Sequence, residues 1–243
     1  MSDADAPGSP AAVPGAPRSR KGAATRARLV EAARVVFARD GFLEARVSDI
    51  AAEAGLSHGS YYHYFDSKEQ LFREVAERQE ARLTAPPDPD DGGGTQPHDG
   101  GGTQPDDGGG TQANDGGGTQ PDDGPPLAPV ERIRAANRRY FARYRDAAAI
   151  MGVIEQVSRY DDQVNAVRMA TQRHFAERSE RAIREWQAAG LVDADLDPVI
   201  AADALGAMTA RFAELWLVQG YRDYDADAAV DQITRLWANA LGL

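Results

Sequence analysis

The sequence predicts an all-α protein made of two helical blocks joined by a low-complexity segment. Three observations carry this. Apolar residues recur at three- and four-residue spacing through about Thr25–Leu83 and again through about Pro129–Leu243. No segment alternates apolar and polar residues over strand length. Residues of capping character, such as Ser57, Ser67, Asp197 and Asp225, stand where the periodic runs begin.

In the first block, a helix is expected over about Thr25–Asp40. Leu29, Ala33, Val36 and Phe37 form its apolar face, and Gly41 stops it, because glycine readily takes the left-handed conformation of a helix end. Arg26, Arg28, Arg34 and Arg39 lie on or beside the other faces. A short second helix, Val47–Ala54, buries Ile50, Ala51 and Ala54, and Gly55 allows a sharp turn. The third helix starts at the N-cap Ser57 and runs towards Phe65. A fourth begins near Asp66–Gln70, where either Asp66 with Glu69 or Ser67 with Gln70 makes a capping box. Leu71, Phe72 and Val75 continue its apolar face.

Short helix, glycine turn, short helix is the geometry of a helix-turn-helix. The second helix braces the third, and the third lies in the major groove with its N-terminal residues facing base edges. His58, Ser60, Tyr62 and His63 form the groove-facing set, Gly59 permits close approach of the backbone, and Tyr61 and Phe65 fall to the core. Lys68, at a helix N-terminus, is placed to clasp a phosphate. His58 and His63 are five apart and share no helical face, so they are not read as a metal pair. The basic run Arg18-Ser19-Arg20-Lys21 is either a solvated tail or an arm on phosphate or minor groove.

The run Leu56-Ser57-His58-Gly59-Ser60-Tyr61-Tyr62-His63-Tyr64-Phe65, followed by Lys68-Glu69-Gln70-Leu71, resembles the recognition region of TetR-family repressors. Arg39-Asp40-Gly41-Phe42 and Asp49-Ile50-Ala51-Ala52-Glu53-Ala54-Gly55 fit the same pattern upstream. The resemblance implies an all-α homodimer with an N-terminal three-helix helix-turn-helix DNA-binding domain and a C-terminal helical domain that binds a small effector and dimerises. Its implied partners are a palindromic double-stranded DNA operator, a small-molecule effector and a second copy of the chain. By position, the DNA-contacting set is Arg46, Val47, Ser48, Ser57, His58, Gly59, Ser60, Tyr61, Tyr62, His63, Tyr64 and Lys68, with Tyr62 and Lys68 mainly on phosphates. Ala45-Arg46 departs from the Thr or Ser usual in the family, leaving the second helix uncapped unless Ser48 caps a shorter one; Arg46 is then available for a phosphate. Ser60 stands where Thr is common.

The domains follow as a tail of disordered composition at 1–20, the DNA-binding domain at 22–82, a linker at 85–126 and the effector-binding and dimerisation domain at 127–243. The linker contains a tandem eight-residue repeat, GGGTQPHD, GGGTQPDD, GGGTQAND, GGGTQPDD, over Gly92–Asp123. Its period is not nine, it lacks the apolar residue of calcium-binding glycine-aspartate repeats, and Asp88, Asp90 and Asp91 lack the glutamate an EF-hand needs. A flexible spacer is expected.

In the second block, helices are expected at about 129–146, 148–160, 162–189, 198–219 and 226–241. Ala201, Leu205, Met208, Phe212 and Leu215 form a seam on the fourth of these, and Val230, Ile233, Trp237 and Leu241 one on the fifth. Such seams pack helix on helix, within one chain or across a two-fold axis. A dimer that reads a palindrome favours the second. An effector pocket is expected at Phe141, Tyr144, Met151, Ile154, Glu155, Phe175, Met208 and Phe212, with Ile150 and Trp186 nearby; Glu155 and Arg159, one turn apart, orient a polar ligand group or form a surface pair.

Composition bounds the function. With no cysteine, disulfides, thiolate metal sites and thiol nucleophiles are excluded. No serine-nucleophile elbow, HExxH pair or phosphate loop is recognised, so no enzyme, cofactor or metal site is expected. Met1–Pro17 lacks the apolar core of a signal peptide and no run of about 18 apolar residues occurs, so a cytoplasmic protein without a membrane partner is expected. The net charge of −11 is no objection to DNA binding, since residues 84–126 carry nine acids and no base while residues 18–48 carry eight bases against three acids. The expected function is a ligand-responsive repressor; an activator, or a helical interaction module without DNA binding, is the alternative.

Overall fold

The computed structural model describes residues 20–86 and 127–243. The tail and the repeat linker, with the roles expected of them, lie outside the described residues apart from Arg20 and the ends at 85–86. The described residues form nine helices and no strand: α1 (Arg20–Glu44), α2 (Val47–Glu53), α3 (His58–Tyr61), α4 (Lys68–Thr84), α5 (Pro129–Asp146), α6 (Ala148–Ser158), α7 (Asp162–Ala188), α8 (Pro198–Ala213) and α9 (Ala226–Leu241), with a π-helical turn at Glu214–Val218 continuing α8.

Local chemistry accounts for most boundaries. Gly41, at φ 76° and ψ 170°, breaks α1 as expected, but Phe42–Glu44 add one more turn beyond the kink. The helix also begins earlier than its apolar face, at Arg20, so Arg20 and Lys21 sit on its exposed first turn. Of the two capping boxes open to α4, the chain uses Ser67 with Gln70. Ser67 Oγ accepts the Gln70 N–H at 3.1 Å. The Gln70 side-chain oxygen in turn accepts the Asp66 N–H at 2.7 Å. Asp161, Asp197 and Asp225 cap α7, α8 and α9 through their carboxylates.

The first four helices close around Phe37, Phe42 and Phe72. Their ring centroids lie 5.0 to 5.7 Å apart, with Phe72 edge-on to both of the others. This block packs directly onto the second: α1 lies against α6 and α4 against α7. Arg73 on α4 adds a polar bolt, donating from Nε and a terminal nitrogen to Asp161 Oδ2 at 3.2 and 3.0 Å. Burial pushes the Asp161 carboxyl up, but the Val164 N–H and the Arg73 guanidinium outweigh it and hold the carboxyl below its ordinary range.

In the second block, α7 packs on α8 and α5 on α9. The α9 seam of Val230, Ile233, Trp237 and Leu241 is therefore buried within the chain, not available as a dimer interface. The reason is that α5 is strongly amphipathic and needs an apolar partner. Even its buried polar residue is met there, Asn137 donating to Thr234 Oγ1 at 3.1 Å. The α8 seam is also turned inward, with Ala201 buried and Leu205, Met208 and Phe212 half-buried against the same core. The outer faces of α8 and α9 instead expose Ile200 and Leu236.

The π turn runs close to α6. A Cβ added at Gly152 would lie 2.8 Å from Val218 Cγ1. Gly152→Ala should therefore destabilise the protein by roughly 1–2 kcal/mol in urea unfolding, against the usual helix preference for alanine. Combining it with Val218→Ala should cost less than the sum of the single changes; strict additivity would show that the contact does not limit the packing.

Candidate nucleic-acid interface and interior cavity

Helix α3 is short because its sequence is better at capping and turning than at continuing. Ser57 Oγ accepts the Ser60 N–H at 3.3 Å and lies 2.8 Å from Ser60 Oγ. Gly55, at φ 65°, makes the reversal from α2. The inner side of α3 is fixed by Tyr61 and Phe65, both almost completely buried. The Tyr61 hydroxyl donates to the Ser67 carbonyl at 2.8 Å, and burial pushes its phenol well above the ordinary range. Tyr61, placed among the DNA contacts by position, is thus a core residue, because it is the wedge that holds α3 against α4.

The outer side is different. His58, Gly59, Tyr62 and His63 are exposed, with Ser57 beside them. Tyr62 is 52% exposed although it is a large aromatic, and it stacks edge-on with His58 at 5.3 Å. A Cβ on Gly59 would meet nothing within 4 Å, so nothing inside the molecule requires glycine there. Ser60 and Tyr64 are half-buried. Arg46 and Ser48 are exposed at the start of α2 and Val47 is half-buried. Helix α2 starts at Val47 with Arg46 in the N-cap position and no side-chain cap bond.

Lys68 does not face outward. Its ammonium donates to the carbonyls of Phe42, Leu43 and Ala45 at 2.7, 3.2 and 3.0 Å. It also lies over the Phe42 ring, 4.7 Å from the centroid. These are the carbonyls left open where α1 ends, and three carbonyls saturate an ammonium's three donors. In this structure the ammonium expected at a phosphate is engaged within the chain. Several arginines are likewise occupied: Arg26 on Glu74 and the Tyr64 carbonyl, Arg28 on the Ala54 carbonyl, Arg34 on Glu31 and Arg39 on Asp40. Among the described residues of this block, Arg20, Lys21, Arg28 and Arg46 are exposed cations with no ion pair, and of these Arg28 is held by the Ala54 carbonyl.

Gly55-Leu56-Ser57-His58-Gly59 has the spacing G-x-S-x-G. In a nucleophile elbow that pattern joins a strand to a helix. Here it joins two helices, and the serine oxygen is the cap of α3.

The second block encloses a cavity of about 920 Å³, within the range of small-molecule sites. It lies between α4, α5, α7 and α8 and exists because α8 presents a row without bulk, Ala202, Gly206 and Ala210. Of the expected pocket residues, Tyr144, Met151 and Phe175 line it, as does Trp186. Phe141 and Ile154 do not; they are buried in the core, Phe141 edge-on to Trp216. Met208 and Phe212 do not line it either; both are half-buried against the core, Phe212 packing against Phe141, Trp216 and Tyr224. Glu155 is paired with Arg168 and, at 3.7 Å, with Arg159, and lies behind the wall.

The polar wall was not foreseen: Glu80, Tyr140, Arg168, Thr171 and Thr209. Its signal was present. Glu80 falls four residues after Ala76 on the buried stripe of α4, where a carboxyl is out of place. Burial pushes that carboxyl up to about 7, against the opposing pull of the Thr171 hydroxyl and the Arg168 guanidinium. Burial likewise raises the Tyr140 and Tyr144 phenols.

Residues 29–75 match the family model described as bacterial regulatory proteins, tetR family. The HTH-type transcriptional repressor SCO4008 of Streptomyces coelicolor is 43% identical over 70 residues, 28% of this chain and 36% of that protein. The HTH-type transcriptional repressor KstR2 of Rhodococcus jostii is 44% identical over 50 residues, 21% of this chain and 24% of that protein. The chain thus matches little more than a third, or less, of the length of these relatives. Among solved structures, the fatty acid degradation regulator FadR from Bacillus halodurans superposes with a TM-score of 0.60 at 17% identity, covering 88% of this chain and 94% of that one. FadR from Bacillus subtilis, solved in complex with stearoyl-CoA, has a TM-score of 0.57 at 14% identity, covering 87% and 96%. At these identities the likeness establishes the fold.

Lys68→Met should lower unfolding stability by roughly 1–3 kcal/mol, since its carbonyl partners lose their donor. It should leave unchanged the slope of log affinity against log salt for any DNA the protein binds. A shallower slope with normal stability would return Lys68 to a phosphate.

Proposed function

We propose that this chain, whose residues 29–75 form a tetR-family DNA-binding domain, is a transcriptional regulator that reads a palindromic operator as a homodimer and responds to a small molecule held in its cavity. The observation that carries the reading is the two-sidedness of α3. Its inner side is locked by Tyr61 and Phe65, while its outer row of His58, Gly59, Tyr62 and His63 is rigidly presented and unused by the fold. In a major groove the histidines and Ser60 meet base edges and Tyr62 a phosphate. Arg20, Lys21 and Arg46, without an ion pair among the described residues, supply positive charge for the backbone.

The response follows from connectivity. Helix α4 carries Phe72 and Val75 in the DNA-binding core and Glu80 and Leu83 on the cavity wall. A ligand that parts α4 from α7 acts on the same helix that holds α3 through Tyr61 and Ser67. It shifts the two recognition helices of a dimer relative to each other and lowers DNA affinity by its preference for that conformation. The stearoyl-CoA complex of Bacillus subtilis FadR is a precedent for this architecture holding an extended ligand. Dimerisation is assigned to the outer faces of α8 and α9, where Ile200 is 67% and Leu236 50% exposed.

Band-shift titrations against DNA flanking the chain's own coding region, at two salt concentrations, test this. Salt-sensitive, sequence-selective binding is expected, and its absence would falsify the reading. His63→Ala should relax base preference by roughly 1–3 kcal/mol at the contacted position, while Arg46→Ala should weaken all sites alike and reduce the salt slope by about 1. Equal loss of selectivity in both would overturn that division. Leu236→Glu should sediment as a monomer and lose the full palindrome; a dimeric Leu236→Glu protein would move the interface elsewhere.

A further inference from the structure

Most charges of the cavity wall are already engaged. Seven arginines and five acids line it. Arg168 pairs with Glu155, behind the wall, and donates to Ser158 Oγ at 3.0 Å. Arg211 pairs with Glu214 at 2.6 Å, Arg132 with Glu185 at 3.3 Å, and Glu180 receives Arg184 at 2.6 Å. Arg143 donates to the carbonyls of Leu83, Ala85 and Pro86, and Arg139 also has a partner within the chain. Glu80 takes the Thr171 hydroxyl and lies in the field of Arg168. The charged groups still open to a guest are exposed and balanced, Arg173 and Arg178 against Glu177 and Asp203. They favour neither sign.

Two neutral donors are left unspent. The Tyr140 and Tyr144 rings lie one turn apart on α5, 5.7 Å between centroids, and both line the cavity. Neither hydroxyl has a hydrogen bond to the chain among the described residues, although a buried phenol ordinarily finds one. Tyr144 is only 5% exposed, and neither oxygen is among the sealed polar atoms, so each keeps access to the cavity that its ring lines. Burial holds both phenols in the protonated, donating form. Thr209, on the same wall, is by contrast taken up: its oxygen accepts from Trp237 Nε1 at 2.9 Å and donates to the Leu205 carbonyl at 3.0 Å. The lining is otherwise rich in rings, with Phe175 edge-on to Tyr140 at 5.5 Å and Trp186 and Trp237 on the same cavity.

Resting on the reading of this cavity as the effector site, we propose that it selects a neutral aromatic carbonyl compound, with the Tyr140 and Tyr144 hydroxyls as the donors that hold its oxygen. The rings of the guest bury against the aromatic lining and the bulk-free row of Ala202, Gly206 and Ala210. Its oxygen satisfies donors that the fold leaves open. An analogue without that oxygen leaves two phenols unpaired against hydrocarbon, so discrimination resides in the hydroxyls and affinity in the rings. An ion of either sign finds no open counter-charge in excess and gives up its hydration on entering.

The test uses the full chain and probes of one ring system, acetylnaphthalene, ethylnaphthalene, naphthoate and naphthylmethylammonium, with nonanone as an open-chain ketone. Binding is read by equilibrium dialysis near neutrality. Acetylnaphthalene is expected to bind roughly tenfold more tightly than either ion and several-fold more tightly than nonanone. Tyr140→Phe and Tyr144→Phe, which keep the rings, should each weaken acetylnaphthalene by roughly fivefold and leave ethylnaphthalene within about twofold. Because the Tyr144 hydroxyl has no partner in the described chain, Tyr144→Phe should unfold at an unchanged or higher denaturant midpoint, which separates lost recognition from lost folding. A Cβ at Gly206, which lines the cavity, meets nothing within 4 Å, so Gly206→Leu should weaken every probe that binds there. No binding of acetylnaphthalene, tighter binding of an ion or of nonanone, equal losses of ketone and hydrocarbon in the phenylalanine variants, a destabilised Tyr144→Phe protein, or full binding in Gly206→Leu overturns the proposal. Band shifts on the same samples separate the two readings: intact selective DNA binding without the ketone preference sinks this inference alone, and absent DNA binding sinks the proposed function.

Discussion

Helix α4 is buried along its length, and the other parts of the molecule are arranged by that packing. Leu71, Phe72, Val75 and Ala76 are at most 1% exposed, and Gln79, Glu80 and Leu83 follow on the same stripe. The first half of the helix closes the core that fixes α3; the second half forms a wall of the cavity. Interiors packed at this density do not deform gradually, so displacement of one end of α4 is transmitted to the other. The Arg73–Asp161 contact reinforces the coupling, because the carboxylate that receives Arg73 also caps α7 through the N–H groups of Gln163 and Val164.

The same economy of contacts governs the charges. A count of basic residues between 18 and 48 suggests a broadly positive surface. In the folded chain, two of those guanidiniums brace the block: Arg26 joins α1 to α4 through Glu74 and lies over Phe65, 4.1 Å from its centroid, and Arg28 closes the end of α2, while Arg34 and Arg39 are taken up by neighbouring acids. Among the described residues, Arg20, Lys21 and Arg46 are exposed and enter no ion pair. Charge inside the second block is likewise decided by packing: Glu80 is buried on the α4 stripe, where the Thr171 hydroxyl and the Arg168 guanidinium oppose the rise that burial imposes on its carboxyl.

The helices and their ends were legible because their determinants lie within four residues of each other. Ser57, Ser67, Asp197 and Asp225 cap where expected, Gly41 and Gly55 turn where expected, and the five helices of the second block fall close to their expected bounds. The recognition surface was legible in part. His58, Gly59, Tyr62 and His63 emerge exposed and Tyr61 and Phe65 buried as read from the helix faces, whereas Lys68 emerges internally bonded. Lys68 depends on partners more than twenty residues away at the end of α1, and position along one helix does not reveal such partners.

The sequence by itself determined the all-α class, the order of helices, the helix-turn-helix and its outward row, because periodicity, capping and glycine geometry act locally. Only the tertiary structure decided which apolar faces meet. It turned the α9 seam onto α5, kept Phe141 and Ile154 in the core with Met208 and Phe212 against it, and opened a cavity lined by Ala202, Gly206 and Ala210 together with Glu80 and Tyr140. An apolar stripe specifies that a face will be covered and says nothing of what covers it. A cavity is set by what several helices jointly fail to fill, and that information exists only once they are assembled.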